Sequence, residues 1–131
     1  MLRGFATVNY FADDVPAAVA WYTEFLGTAP YFHREFDDGV PAYVEFRIGD
    51  HQAELGILNR RHFSPTPGGA LIYWAVDDVH TTHTRLLALG ATPHLPPTDR
   101  GPGFTTASVT DPFGNVLGIM YNQHYLDMLA R

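Results

Sequence analysis

The sequence predicts an α+β chain built as strand–helix–three strands, twice over, with the two modules curved into a shared trough. Three observations predict it. The 131 residues suit one domain or two small fused modules. Residues 5–27 (FATVNYFADDVPAAVAWYTEFLG) and 70–90 (ALIYWAVDDVHTTHTRLLALG) follow one plan: an apolar alternating run, Asp-Asp-Val, a helical stretch, then Leu-Gly. The offset is 64 from Asp13 to Asp77 and 63 from Leu26 to Leu89, close to half the chain. Finally, 46% hydrophobic and 14% aromatic residues supply a core.

In the first module, Phe5 to Phe11 is rich in aromatic and β-branched residues and reads as a strand. Asp13 or Asp14 caps a helix, since a carboxylate accepts from the orphan N–H groups at the positive end of the dipole. Pro16 fits the first turn, where its missing N–H has no partner to lose. Val15, Ala18, Val19, Tyr22 and Leu26 recur at three and four, which makes one apolar stripe. Gly27 supplies the left-handed residue that stops the helix. Strands follow near 31–36, 41–48 and 52–58, with turns at Asp38-Gly39 and Gly49-Asp50.

The second module repeats the plan. A strand at 70–76 leads to the cap Asp78, a helix to Leu89 and the stop Gly90. Strands follow near 92–96, 104–110 and 115–121, the last two joined by Asp111-Pro112-Phe113-Gly114-Asn115. The reading is one domain, 1–131, of repeats 5–58 and 70–122. The Pro- and Gly-bearing segment 59–69 links them. Residues 123–131 read as a short amphipathic helix through Tyr125, Leu126 and Leu129.

Composition removes several function classes. With 8 basic and 14 acidic residues the net charge is -6, and no basic run exceeds Arg60-Arg61, which argues against a nucleic-acid binder. The absence of cysteine excludes disulfides, thiol nucleophiles, zinc fingers and iron–sulfur clusters. No apolar stretch approaches the ~20 residues that span a bilayer. The start Met1-Leu2-Arg3-Gly4-Phe5 lacks a signal-peptide core. The expectation is a soluble, cytoplasmic, globular protein.

Two sets of residues, in this order, resemble the vicinal oxygen chelate superfamily of glyoxalases, bleomycin-resistance proteins and extradiol dioxygenases. The first is Ala12-Asp13-Asp14-Val15 with Trp21-Tyr22-Thr23-Glu24-Phe25-Leu26-Gly27. The second is Val76-Asp77-Asp78-Val79 with Asp111-Pro112-Phe113-Gly114-Asn115-Val116-Leu117-Gly118. The resemblance covers about 5–121. It implies mixed sheets with the helices outside, and a homodimer to which the Tyr125–Leu129 segment contributes. It fixes no reaction, because one scaffold hosts many chemistries.

Metal-dependent members of that superfamily hold a divalent cation with four side chains, one on each of four strands. Carried over from the shared motifs, those positions fall on Thr7, Glu54, Ile72 and Gly118. Only Glu54 is a proper ligand, and a catalytic site needs about three protein ligands. A slip of one residue, to Val8, Leu71, Tyr73, Leu117 or Ile119, gives no better set. The expectation is no metal and no cofactor. Strand alternation then groups Thr7 with Asn9, Glu54 with Gln52, Ile72 with Trp74 and Gly118 with Met120 as the ligand-facing set. Val8, Leu55, Ile57, Tyr73, Leu117 and Ile119 are left to pack on the helices. Such a pocket suits a flat, aromatic or cationic organic ligand, with Trp74 for stacking and Glu54 as countercharge.

The remaining polar residues give no comparable pattern. His80 and His83 are spaced i, i+3 on the second helix, but no carboxylate completes a set, and His83 matches Val19 on the sheet-facing stripe. His33, His51, His62, His94 and His124 form no motif. Ser64 and Ser108 lack the strand–turn–helix setting of a hydrolase nucleophile. Arg100, beside Gly101-Pro102-Gly103, reads as a solvated loop residue. The function expected is metal-independent binding of a small molecule in the trough, resembling the bleomycin-resistance branch. The rival is a lyase or isomerase resembling lactoylglutathione lyase with Glu54 as base. A third reading is an accessory or regulatory subunit.

Overall fold

Two four-stranded sheets with the same strand order account for nearly all the regular structure. The computed structural model describes residues 1, 5–61 and 71–130. The chain divides into two compact units, Met1–Pro67 and Gly68–Arg131. The first contains β1 (Thr7–Ala12), α1 (Val15–Leu26), β2 (Phe32–Glu35), β3 (Pro41–Ile48) and β4 (Ala53–Asn59). The second contains β5 (Tyr73–Ala75), α2 (Val79–Ala88), β6 (Thr92–Gly101), β7 (Phe104–Thr110), β8 (Val116–Asn122) and α3 (Gln123–Leu129).

The sheet orders are β1-β4-β3-β2 and β5-β8-β7-β6. In each, the first strand runs parallel to the last and the other neighbours are antiparallel, so both sheets are mixed. The duplicated βαβββ plan is therefore present in the molecule. Its parallel step crosses over through a helix, as parallel strands require.

The caps form as their residue types dictate. Of the two aspartates open at the start of α1, Asp14 is the cap: its Oδ1 accepts from the Ala17 N–H at 3.0 Å. Asp78 Oδ1 accepts from the Thr81 N–H at 2.9 Å. The N–H bond at Thr81 is the largest of the causes that hold the Asp78 carboxyl below the usual range. Gly27, with φ 72°, ends α1 in the left-handed region. The Asp111–Asn115 turn is locked from within. Asp111 Oδ1 accepts from the N–H groups of Phe113 and Asn115, and Asn115 Nδ2 donates to Asp111 Oδ2 at 2.8 Å.

Each helix covers one face of its own sheet. In the first unit Val15, Ala18 and Tyr22 of α1 bury against a layer that includes Tyr10, Val44, Phe46, Leu55 and Ile57. In the second, Val79 and Leu86 of α2 meet Ala107, Val109, Leu117 and Ile119. These strands alternate apolar and polar residues, so the same burial leaves a polar face free of helix.

Several expected boundaries move, among them that of the strand expected at 70–76, of which Tyr73–Ala75 forms β5. β6 runs to Gly101 rather than 96, through Pro93, Pro96 and Pro97. It is an edge strand with several register shifts, where residues lacking an N–H cost no interior ladder bond. β4 reaches Asn59, the first residue of the expected linker, whereas 62–69 lie outside the described residues and take Ser64 and His62 with them. The C-terminal helix ends at Leu129 and leaves Tyr125, Leu126 and Leu129 exposed. Among the described residues, no helix is long and apolar enough to cross a membrane.

Candidate functional site

The helix-free face of the first sheet carries the densest polar chemistry. Register fixes its members. Thr7 lies beside Glu54 and Asn9 beside Gly56 across the parallel β1–β4 pair. Across β3–β4, Glu45 lies beside Gly56 and Arg47 beside Glu54. Across β2–β3, Phe32 lies beside Glu45 and Arg34 beside Tyr43. Partners in register project to the same side, so these residues share one face.

Glu54 is fully engaged. Thr7 Oγ1 donates to its Oε2 at 2.6 Å, and Arg47 Nη1 stands 2.9 Å from its Oε1. The Arg47 and Glu54 side chains are 42% and 28% exposed, so the pair contributes at most about 1 kcal/mol to stability. Its consequence is positional: each oxygen already has a partner on this face, which an incoming metal ion would have to displace or share.

Glu45 is held differently. The Tyr43 hydroxyl donates to its Oε1 at 2.5 Å. Burial first, and the neighbouring Glu54 charge second, raise the Glu45 carboxyl above the usual glutamate range, with Arg47 opposing. The same two causes raise the Tyr43 phenol. Gly56 makes the arrangement possible. A Cβ there would lie 2.2 Å from Asn9 Oδ1 and 2.4 Å from Tyr43 Cε1, so both side chains lie across its bare backbone.

The second sheet's helix-free face is built on the same plan with other residues. Tyr73 lies beside Gly118, and Gly118 and Met120 lie beside Ser108 and Thr106. His94 Nδ1 is 2.7 Å from Ser108 Oγ, and Arg100 Nε donates to Thr106 Oγ1 at 3.1 Å. Arg100 is thus tied to the sheet rather than free in a loop. Ser108 is fully buried, which removes it as a nucleophile despite its histidine neighbour.

Thr7, Asn9 and Glu54 share one face as expected, and so do Gly118 and Met120. Three placements need correction. Trp74 lies beside Ile119, so it belongs to the α2-facing side and Tyr73 takes the place beside Gly118, while Ile72 precedes β5 and accepts from the Gly118 N–H through its backbone carbonyl. A Cβ on Gly118 would meet Tyr73 Cδ1 at 2.8 Å, which confirms where that ring lies. A one-residue slip on a strand exchanges its two faces. The chain's own offset of 64, applied to Thr7 and Asn9, gives Leu71 and Tyr73 and would have fixed the register. Gln52 also leaves the set. It sits in the turn before β4 with φ 52°, its Nε2 donating to the Gly49 carbonyl, so strand alternation does not reach it.

Sequence reasoning missed Tyr43, Glu45 and Arg47. Their signal was present: in 41–48 the polar residues alternate with Val44, Phe46 and Ile48.

The donor set does not suit a divalent cation. The four expected positions offer Thr7, an engaged Glu54, Ile72 and Gly118. Among the described residues, no three His, Asp or Glu side chains group as ligands. His80 and His83 on α2 gain no acidic third ligand there, and the buried His83 Nε2 has no hydrogen-bond partner among the described residues. A separate, almost wholly apolar cavity of about 250 Å³ lies on the helix side, between α1 and β2–β3, with His33 at its wall.

Comparison with known proteins agrees with this architecture. The family model described as Glyoxalase/Bleomycin resistance protein/Dioxygenase superfamily matches residues 4–119. Among solved structures, a member of that superfamily from Sphaerobacter thermophilus DSM 20745 superposes with a TM-score of 0.72 at 20% identity, over 91% of this chain and 97% of that one. A glyoxalase-related enzyme from Fulvimarina pelagi gives 0.69 at 21%, over 93% and 90%. Lactoylglutathione lyase from Agrobacterium tumefaciens gives 0.66 at 20%, over 95% and 98%. At these identities the likeness to the solved structures concerns the fold alone. No curated protein matches the chain.

Proposed function

This chain belongs to the Glyoxalase/Bleomycin resistance protein/Dioxygenase superfamily, and on that premise we propose that it binds a small organic molecule without a divalent metal. The observation that carries the reading is the Thr7–Glu54–Arg47 chain. The one carboxylate at the superfamily's ligand positions is paired with an arginine at one oxygen and hydrogen-bonded by a threonine at the other. Around it stand Tyr43, Glu45 and Asn9, with Phe32 and Arg34 at the sheet edge. An apolar body with a few fixed polar groups is what such a surface accepts.

The rival, a lyase or isomerase with Glu54 as base, asks that residue to take a proton from substrate. Arg47 stands against one of its oxygens, and the threonine hydroxyl bonds the other. On this reading Glu54 organises Arg47 and Thr7 instead.

The test is thermal stabilisation by a panel of aromatic compounds, in chelator and again with added zinc, nickel or manganese. A binder is stabilised according to ligand concentration over Kd, equally in both conditions. Stabilisation only with the ion, together with turnover of a hemithioacetal, would overturn the proposal.

A further inference from the structure

We infer that Glu45, rather than Glu54, is the anion that receives the charged end of the ligand, and that the ligand is a small aromatic compound bearing a protonated amine. The inference rests on reading this face as a small-molecule site, and it names the residue and ligand class.

The argument begins with oxygens. Glu54 has two, and both are taken, by Thr7 and Arg47. Glu45 also has two. Oε1 accepts from Tyr43, and Oε2 has no hydrogen-bond partner among the described residues. The residue is half-buried, so Oε2 is reachable yet poorly hydrated. A carboxylate fixed at one oxygen and open at the other presents its free lone pairs in a defined direction.

The surroundings supply the aromatic part. Phe32 lies directly across the strand pair from Glu45, and Tyr43 precedes it by two residues on the same face. The two rings meet edge-on, with centroids 6.3 Å apart. Phe32 is also exposed. Its ring carries the Arg34 guanidinium at 5.6 Å, and Tyr31 carries that of Arg47 at 4.9 Å, so aromatic rings at this edge already engage cations. An ammonium at Glu45 Oε2 would place its aromatic body against Phe32 and Tyr43.

Charge balance points the same way. Glu54 holds Arg47 at 2.9 Å, whereas Glu45 has no salt-bridge partner among the described residues. A bound cation supplies one. Gly56 acts as the floor: its missing side chain lets Tyr43 lie where it can orient Glu45.

Calorimetric titration with tryptamine and its neutral alcohol tryptophol tests this, with backbone amide shifts reporting position. The expected result is an ammonium preference of about tenfold in the wild-type chain, falling to within about twofold in Glu45→Gln and by less in Glu54→Gln, where Arg47 is released. Shifts should centre on Phe32, Tyr43 and Glu45. Tyr43→Phe, which keeps the ring and removes the hydroxyl, should retain binding with a smaller preference. Persistence of the full preference in Glu45→Gln, or its loss in Glu54→Gln alone, overturns the inference. Equal binding of the two probes by the wild-type chain overturns it and leaves the broader reading standing. Binding of neither overturns both.

Discussion

The two sheets share one topology and present opposite chemistry on their helix-free faces. The first bears Glu45 and Glu54 with Arg34, Arg47 and Tyr43. The second, among the described residues, bears Tyr73, Thr106, Ser108, Gly118 and Met120, with the side chains of His94 and Arg100 bonded to the hydroxyls. Gly56 and Gly118 occupy equivalent places: Gly56 lies beside Asn9 and Gly118 beside Tyr73, each on the strand that pairs in parallel with the first strand of its module. The first makes room for the Asn9 and Tyr43 side chains, and the second for the Ile72 carbonyl and the Tyr73 ring. The repeat preserves what the fold needs, which is caps, strand order and an apolar layer. It leaves the exposed face free to diverge.

The two glycines on these faces allow the sharpest break of that comparison. A Cβ on Gly118 would lie 2.5 Å from the Ile72 carbonyl oxygen, a backbone atom that cannot swing aside. Gly118→Ala should therefore cost about 2 kcal/mol in denaturant unfolding. Gly56→Ala presses first on side-chain atoms of Asn9 and Tyr43, which can move, so it should cost less, about 1 kcal/mol, while disturbing ligand binding. Equal losses would mean that the faces do not differ as described.

The caps are next in size. Asp14→Ala should destabilise by about 1 kcal/mol through the orphaned N–H at Ala17. Asp78→Ala should act in the same direction. With its carboxyl held low, the stabilisation from Asp78 is present above the ordinary aspartate range and lost as pH falls through its lowered value. The variant should therefore lose the corresponding part of the acid limb of the stability curve.

Smaller effects belong to the titration of the first face. The Glu45 carboxyl, followed by carbon NMR, should titrate above an ordinary glutamate. Glu54→Gln should lower its midpoint, because it removes a repelling charge and frees Arg47. The sign for stability follows. A raised folded value means the contribution of Glu45 is full below the ordinary glutamate range and is lost as pH rises through the raised value. In Glu45→Gln that slope should vanish. An unchanged midpoint in Glu54→Gln would show that the two carboxylates do not interact.

Much of the fold was legible because its punctuation has one physical meaning each. Asp78 before the helical stripe, Gly27 after it and Asp111 through Asn115 between strands permit few alternatives. The site was legible only where alternation is clean. Thr7, Asn9 and Glu54 sit in such strands. Ile72-Tyr73-Trp74 is an uninterrupted apolar run leading into the three-residue β5, so periodicity cannot choose its face and the pairing of Tyr73 and Trp74 with β8 decides. Gln52 was lost to a left-handed turn conformation that a polar residue does not announce. Arg47 and Glu45 were readable by alternation, but their pairing needs the β3–β4 register, which no single strand encodes.

The most direct test of the central claim is titration of the protein with manganese, followed by paramagnetic broadening of backbone amides. With both Glu54 oxygens engaged by Thr7 and Arg47, the account predicts no saturable broadening centred on Thr7 and Glu54. Broadening that saturates at one ion per chain and is strongest at those two residues would contradict it.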